Sequence, residues 1–127
     1  MAINYRVIER RNLIDPGQPN KFYASASKLS EMSLIDLAET IADMSTVSSI
    51  DTLAVLEALL KVIPKELSKG NSVRMGDFGS FFSTIQSHGS DAEDDFTDSL
   101  IKRTKINFRP GRRVKNVLRN IQYTKIN

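Results

Sequence analysis

SVRMGDFGSFFSTI, from Ser72 to Ile85, reads as two short strands, Ser72–Met75 and Phe78–Ile85, folded back on each other around the turn-forming pair Gly76-Asp77. Gly79 lies inside the second of these and marks a bulge or a close backbone approach. Immediately upstream is a helical pattern from about Ser49 to Ser68. It is opened by the cap signal Ser48-x-x-Asp51 and closed by Lys69-Gly70-Asn71. Leu53, Leu56, Leu60, Ile63 and Leu67 form one apolar stripe, and Val55, Leu59 and Val62 form a second beside it. A surface helix of a small domain needs a single apolar face, so two adjoining stripes predict burial against another copy of the chain as well. Pro64 is predicted to kink the helix or reset its last turn. A shorter helix precedes it, with Ser33 as its cap, Asp36 at the third position, and Leu34, Leu37, Ala38 and Ile41 on one face.

Downstream, Gln86–Ser99 loses all periodicity and reads as a mobile loop or hairpin tip. Ile101–Phe108 resumes as a strand. Lys102, Thr104, Ile106 and Phe108 alternate there with Ile101, Arg103, Lys105 and Asn107, without a clean division into apolar and polar faces. Pro110 suits the entry of a last helix, whose apolar stripe is Val114, Val117, Leu118 and Ile121. At the amino end, Ile3, Tyr5 and Val7 alternate with polar residues. DPGQPN at Asp15–Asn20 stops that strand, and Lys21–Ala26 returns, giving an antiparallel pair with a wide turn. Tyr123 is expected to pack loosely near a frayed terminus. The order of elements predicts an α+β chain that dimerises.

The 127 residues suffice for about one domain. With no cysteine, disulfides, thiolate zinc sites and cysteine nucleophiles are excluded. No apolar run is long enough for a membrane span, and the first residues lack the hydrophobic stretch of a signal peptide, so a cytoplasmic location is expected. The net charge of +3 conceals a segregated distribution. Residues 29–60 carry six acidic groups and no basic one, residues 78–101 carry five acidic groups and no basic one, and residues 102–127 carry nine Lys or Arg and no acid. Such polarity predicts a basic surface suited to phosphates, or, in the plainer reading, a basic terminal helix that serves solubility. Catalysis is not expected. His88 is the one histidine and lies in the loop; Asp91, Glu93, Asp94 and Asp95 lack the ligand order of a calcium loop; Gly76-x-x-Gly79 precedes a strand, whereas a phosphate-binding glycine loop opens a helix. No cofactor and no metal site is predicted. Phe78, Phe81, Phe82 and Phe108 read as sheet core in preference to base-stacking platforms, and Phe96, alone among acids, as an exposed anchor.

From about Ser33 to Ile121 the chain resembles the HU/integration host factor family of bacterial histone-like, DNA-architectural proteins. Two segments carry the resemblance. Val73-Arg74-Met75-Gly76-Asp77-Phe78-Gly79-Ser80-Phe81 looks like the family's strand–turn–strand segment. Phe108-Arg109-Pro110-Gly111-Arg112-Arg113-Val114-Lys115-Asn116-Val117-Leu118 looks like its strand-to-last-helix junction. The added strand pair at residues 1–26 is similar to a Bacteroidetes-type branch of that family. The resemblance implies an HU-like fold: two helices, an antiparallel sheet with an arm-like hairpin, and a carboxy-terminal helix. The expected division is an amino-terminal strand extension over 1–28, packed on an HU-like DNA-binding domain over 29–127.

It further implies a nucleoid-associated dimer, formed with itself or with a paralogue, that binds double-stranded DNA without sequence preference. The expected nucleic-acid contacts are Arg74, Lys102, Arg103, Lys105, Arg109, Arg112, Arg113, Lys115 and Arg119, with Lys69 weaker. The expected dimer contacts are Leu53, Leu56, Leu59, Leu60, Ile63, Phe78 and Phe81. The family's minor-groove arm bends DNA with a proline wedge at its tip. Here the prolines stand at 16, 19, 64 and 110, outside the arm, and Gln86–Ser99 holds five acidic groups and no basic one. The intercalating arm is therefore expected to be lost or altered. The competing expectation is a protein-interaction module on the same fold, with the acidic loop at residues 91–98 receiving a basic partner.

Overall fold

The computed structural model describes residues 1–126. The chain divides into two compact units: Leu34–Asn116, and Met1–Ser33 together with the chain from Val117 onward.

The larger unit opens with a helical hairpin, α1 (Leu34–Asp43) and α2 (Ser49–Ser68). The cap of α2 is formed as its sequence requires: the Ser48 hydroxyl accepts a hydrogen bond from the backbone N–H of Asp51 at 3.1 Å. Thr52, buried between the helices, returns its own hydroxyl to the Ser48 carbonyl at 2.7 Å. The helix continues through Pro64 with no interruption of its bounds. It stops at Gly70, whose φ of 88° lets two bonds close the end: Gly70 N–H to the Leu67 carbonyl, and Asn71 N–H to the Glu66 carbonyl. The Asn71 amide and the Lys69 ammonium both bond the Glu66 carboxylate, and these two contacts, the Asn71 bond first, hold its pKa below the usual carboxylate value.

Three antiparallel strands follow, in the order β3 (Val73–Met75), β4 (Gly79–Ser87), β5 (Ile101–Pro110). Between β4 and β5 the residues read as a loop make a short hairpin tip, with two single 3₁₀ turns at Glu93–Asp95 and Asp98–Leu100. Register settles what alternation along the sequence leaves open. Phe81 faces Phe108, Ser83 faces Ile106, and Ile85 faces Thr104, all on one side of the sheet. The rings of Phe78 and Phe81 lie 5.3 and 4.9 Å from that of Phe108. This apolar side meets the second half of α2, where Leu67 is buried and its carbonyl accepts from the Ser83 hydroxyl. Phe82 is a correction. Being adjacent to Phe81, it lies on the opposite side and is not part of this core.

Gly79 and Gly111 are fixed by backbone proximity. Gly79 is buried at φ 149°, and a Cβ there would meet the Arg109 carbonyl at 2.5 Å and the Phe108 ring at 2.7 Å. A Cβ on Gly111 would collide with the Asp77 carbonyl. The last helix, α3 (Arg112–Arg119), is docked through this point. Gly111 N–H donates to the Phe78 carbonyl, and Arg113 N–H to that of Asp77.

The smaller unit is a second three-stranded sheet. β1 (Ala2–Arg10) pairs antiparallel with β2 (Lys21–Ala26), as expected, and parallel with β6 (Gln122–Lys125). The last strand overturns the expectation of a frayed end: Tyr123 pairs with Ile3 in the ladder, and Ile126 N–H donates to the Tyr5 carbonyl. The turn between β1 and β2 is pinned by the Asn12 side chain, which accepts from the N–H groups of Ile14 and Asp15.

The chain by itself leaves much apolar surface open. Its accessible area is 10765 Å², whereas two separately compact bodies of these sizes would expose about 8,000 Å². Along α2 the half-buried arc runs through Leu56, Leu59 and Ile63, while Val55, Leu60 and Val62 are more than half exposed on its flanks. Leu59 and Leu60 thus exchange the stripes that simple spacing assigns them.

Gly79→Ala adds a strained φ to a steric collision and is expected to lower stability by about 3 kcal/mol. Gly17→Ala, whose Cβ would meet only the Asp15 carboxylate at an ordinary 3.5 Å, is expected to change it by less than about 0.5 kcal/mol. Urea unfolding at one fixed protomer concentration measures both.

Candidate nucleic-acid interface

The side of the β3–β4–β5 sheet turned away from α2 is built by the same two-residue period that builds the core. Arg74 pairs with Ser80, Ser80 with Arg109, Phe82 with Asn107, Thr84 with Lys105 and Gln86 with Arg103. Four cations, Arg74, Arg103, Lys105 and Arg109, therefore share one face, and no acidic residue occupies a register position on it. Along β5 the cationic positions span about 20 Å.

The face is ordered by its neighbours. Arg109 lies over the Phe82 ring at 5.0 Å, a cation–π contact. Arg103 Nε donates to Gln86 Oε1 at 2.8 Å, and Asn107 Nδ2 to Thr84 Oγ1 at 2.8 Å. Thr84, Gln86 and Asn107 are the members that sequence reading passed over, and Phe82 is the one it assigned to the core. Their signal was their parity with Arg103 and Arg109, legible only once the hairpin register is known.

The remaining expected cations are placed differently. Lys102 has no register partner, because the ladder shifts between Gln86 and Ser87 and makes Lys102 the extra residue of a bulge. Arg112, Arg113 and Lys115 are exposed on the first turns of α3. Arg112 is 3.4 Å from the Asp77 carboxylate, which supplies counter-charge at the helix's positive end. Arg119 ends α3 and belongs by its contacts to the smaller unit. Lys69 is engaged by Glu66 at 3.3 Å.

Of the residues expected at a dimer contact, Leu53, Leu56, Leu59, Ile63 and Phe81 are half-buried within the chain, and Leu60 and Phe78 are exposed. A cleft of about 740 Å³ opens between the end of α2 and the apolar side of the sheet, lined by Ile63, Pro64, Leu67, Phe81, Ile85 and Ile106 among others.

The acidic tip carries no ion pair among the described residues; Asp91, Glu93, Asp94, Asp95 and Asp98 are all exposed, as is Phe96. No group of three or more His, Asp or Glu side chains among the described residues is placed to hold a metal ion, and no helix among them is long and apolar enough to cross a membrane.

Comparison with known proteins agrees with this architecture. Residues 1–125 match a sequence family, HU-HIG, described as an HU domain fused to a winged helix-turn-helix, an immunoglobulin-like domain or a glycine-rich motif. The chain belongs to that family. A crystal structure from Bacteroides vulgatus, provisionally described as a bacterial DNA-binding protein, superposes with a TM-score of 0.67 at 8% identity and covers 98% of this chain. This HU-HIG chain spans only 48% of the length of that protein. An Anabaena HU–DNA cocrystal structure superposes with a TM-score of 0.56 at 21% identity, covering 70% of this chain and 99% of the Anabaena one. No curated protein matches the chain. The α+β, HU-like fold expected from the two motif segments is the fold found.

The Arg112–Asp77 pair is exposed on both sides. Asp77→Asn is therefore expected to alter stability by less than about 1 kcal/mol in thermal or urea unfolding.

Proposed function

We propose that this HU-HIG chain binds double-stranded DNA without sequence preference, as a dimer, and that the β3–β4–β5 sheet holds the phosphates. The observation that carries the reading is the four-cation face, Arg74, Arg103, Lys105 and Arg109, unopposed by any acid on that side of the sheet. Guanidinium and ammonium groups on a rigid ladder suit phosphate oxygens, and contacts of that kind position a protein on a duplex without reading its bases. The Anabaena HU structure, solved with DNA, lends the same fold to that role.

Dimerisation is supported by the exposed flanks of α2 and the open apolar cleft beside it. A second copy is the occupant that most economically removes both from water.

The mode of binding departs from an arm that grips the minor groove. The β4–β5 ladder ends at Ser87 and Ile101, and beyond it stands an acidic tip with no cation and no proline. Such a tip is repelled by a duplex, which carries one negative charge per about 1.7 Å. DNA is held on the outward face of the sheet, without a proline wedge.

Binding of unrelated duplexes should weaken with salt along a slope of log K against log[salt] near −7, for about four phosphates per protomer. Arg103→Ala/Lys105→Ala should reduce the slope's magnitude by about 3.5; an unchanged slope would remove this face from the interface. Replacing residues 88–98 with a short neutral turn should tighten binding at low salt, and the gain should vanish as ionic strength rises. For the dimer, the thermal midpoint should increase with protein concentration; a midpoint independent of concentration contradicts it.

A further inference from the structure

The smaller unit carries a second cationic face that the HU-like fold does not account for. Register along its three strands assigns each side chain to one of two sides. Ile3, Tyr5, Val7, Phe22, Ala24 and Tyr123 share one side with Glu9 and Lys125, and a groove of about 470 Å³ there is lined by apolar residues. On the other side lie Arg6, opposite Ser25, and Arg10, directly opposite Lys21, with Tyr23 opposite Ile8 and with Asn4 and Thr124 paired beside them.

Arg10 and Lys21 as a cross-strand pair are physically unusual. Like charges directly opposite one another destabilise a ladder, yet no carboxylate relieves them. Glu9 falls on the other side by parity and is bonded by the Asn20 amide. Among the described residues, neither Arg6, Arg10 nor Lys21 makes an ion pair, and all three are exposed. Arg10 is held over the Tyr23 ring at 5.7 Å, which orders a cation that would otherwise swing away from Lys21. An anion lying between the two strands would relieve that repulsion.

We propose that this face of the amino-terminal sheet, Arg6, Arg10 and Lys21 with Tyr23, is a second binding surface for the phosphodiester backbone of nucleic acid, separate from the β3–β4–β5 face. Three unpaired cations on one pleated surface suit successive phosphates, and Asn4 and Thr124 add neutral donors beside them. The Tyr23 ring offers a stacking surface to an unpaired base, so a single strand gains a contact there that a duplex lacks.

The test uses the whole chain. In a background of Arg103→Ala/Lys105→Ala/Arg109→Ala, anisotropy with a 20-nucleotide single strand and with a 20-base-pair duplex should still report salt-sensitive binding. Adding Arg6→Ala/Arg10→Ala/Lys21→Ala should weaken it about tenfold or more at low salt. Tyr23→Leu should weaken the single strand more than the duplex. Lys21→Gln alone, which relieves the repulsion, should leave the fold intact or raise its thermal midpoint, and should still weaken binding. Residual binding indifferent to the triple substitution and to Lys21→Gln, or no residual binding on either nucleic acid, overturns the proposal. Failure of the first face is read separately: its three substitutions would then leave binding at the wild-type level.

Discussion

A two-residue period shared by two hydrogen-bonded strands governs the larger unit. Because Phe81 pairs with Phe108, the residues one step away, Phe82 with Asn107, must lie on the reverse side, and with them every second residue of β5. The phenylalanines that dock the sheet on α2 thereby compel Arg103, Lys105 and Arg109 to face outward. Burial of the core and display of the cations are one geometric event. A slip of a single residue would put guanidinium groups against Leu67 and turn the rings to water. Gly79 and Gly111 protect that register from both sides, since neither position has room for a Cβ against the facing backbone.

The polarity of the chain follows from the same arrangement. In the larger unit every acidic group but Asp77 lies on the helical hairpin or the β4–β5 tip, while the reverse of the sheet and the first turns of α3 carry cations. Separation of this kind gives a small protein of modest net charge a strong local field. The five carboxylates of the tip and the cations of the sheet face form no ion pair with one another among the described residues.

Much of this was legible in the sequence, and the failures have physical causes. The bounds of α2, its Ser48 cap and its Gly70 stop were readable because they depend on neighbours within five residues. The strand–turn–strand at Val73–Phe81 was readable because glycine at positions 76 and 79 has few other uses. The division of β5 into faces was not, since Lys102, Thr104 and Ile106 mix polarity until pairing with β4 and the bulge at Lys102 are known. Adjacent phenylalanines at 81 and 82 look alike as core until parity separates them. β6 was missed for a related reason: Gln122–Lys125 has no alternation of its own, and its partner is β1, at the far end of the chain. Leu59 and Leu60 were misassigned because the buried arc is set by Thr52 and the hairpin with α1, which apolar spacing ignores. Long-range pairing, in each case, carried the missing information.

The central claim is that the side of the sheet opposite α2 is the surface a duplex touches. Resonances of the arginine side chains, followed by NMR as a duplex is titrated in, test it most directly. The account predicts that Arg74, Arg103 and Arg109 Nε–H signals shift together and saturate together, with the Phe82 ring following Arg109 and the Phe81 and Phe108 rings unmoved. Saturable binding in which those three arginines stay still, or in which the core rings respond and the outward face does not, would contradict it.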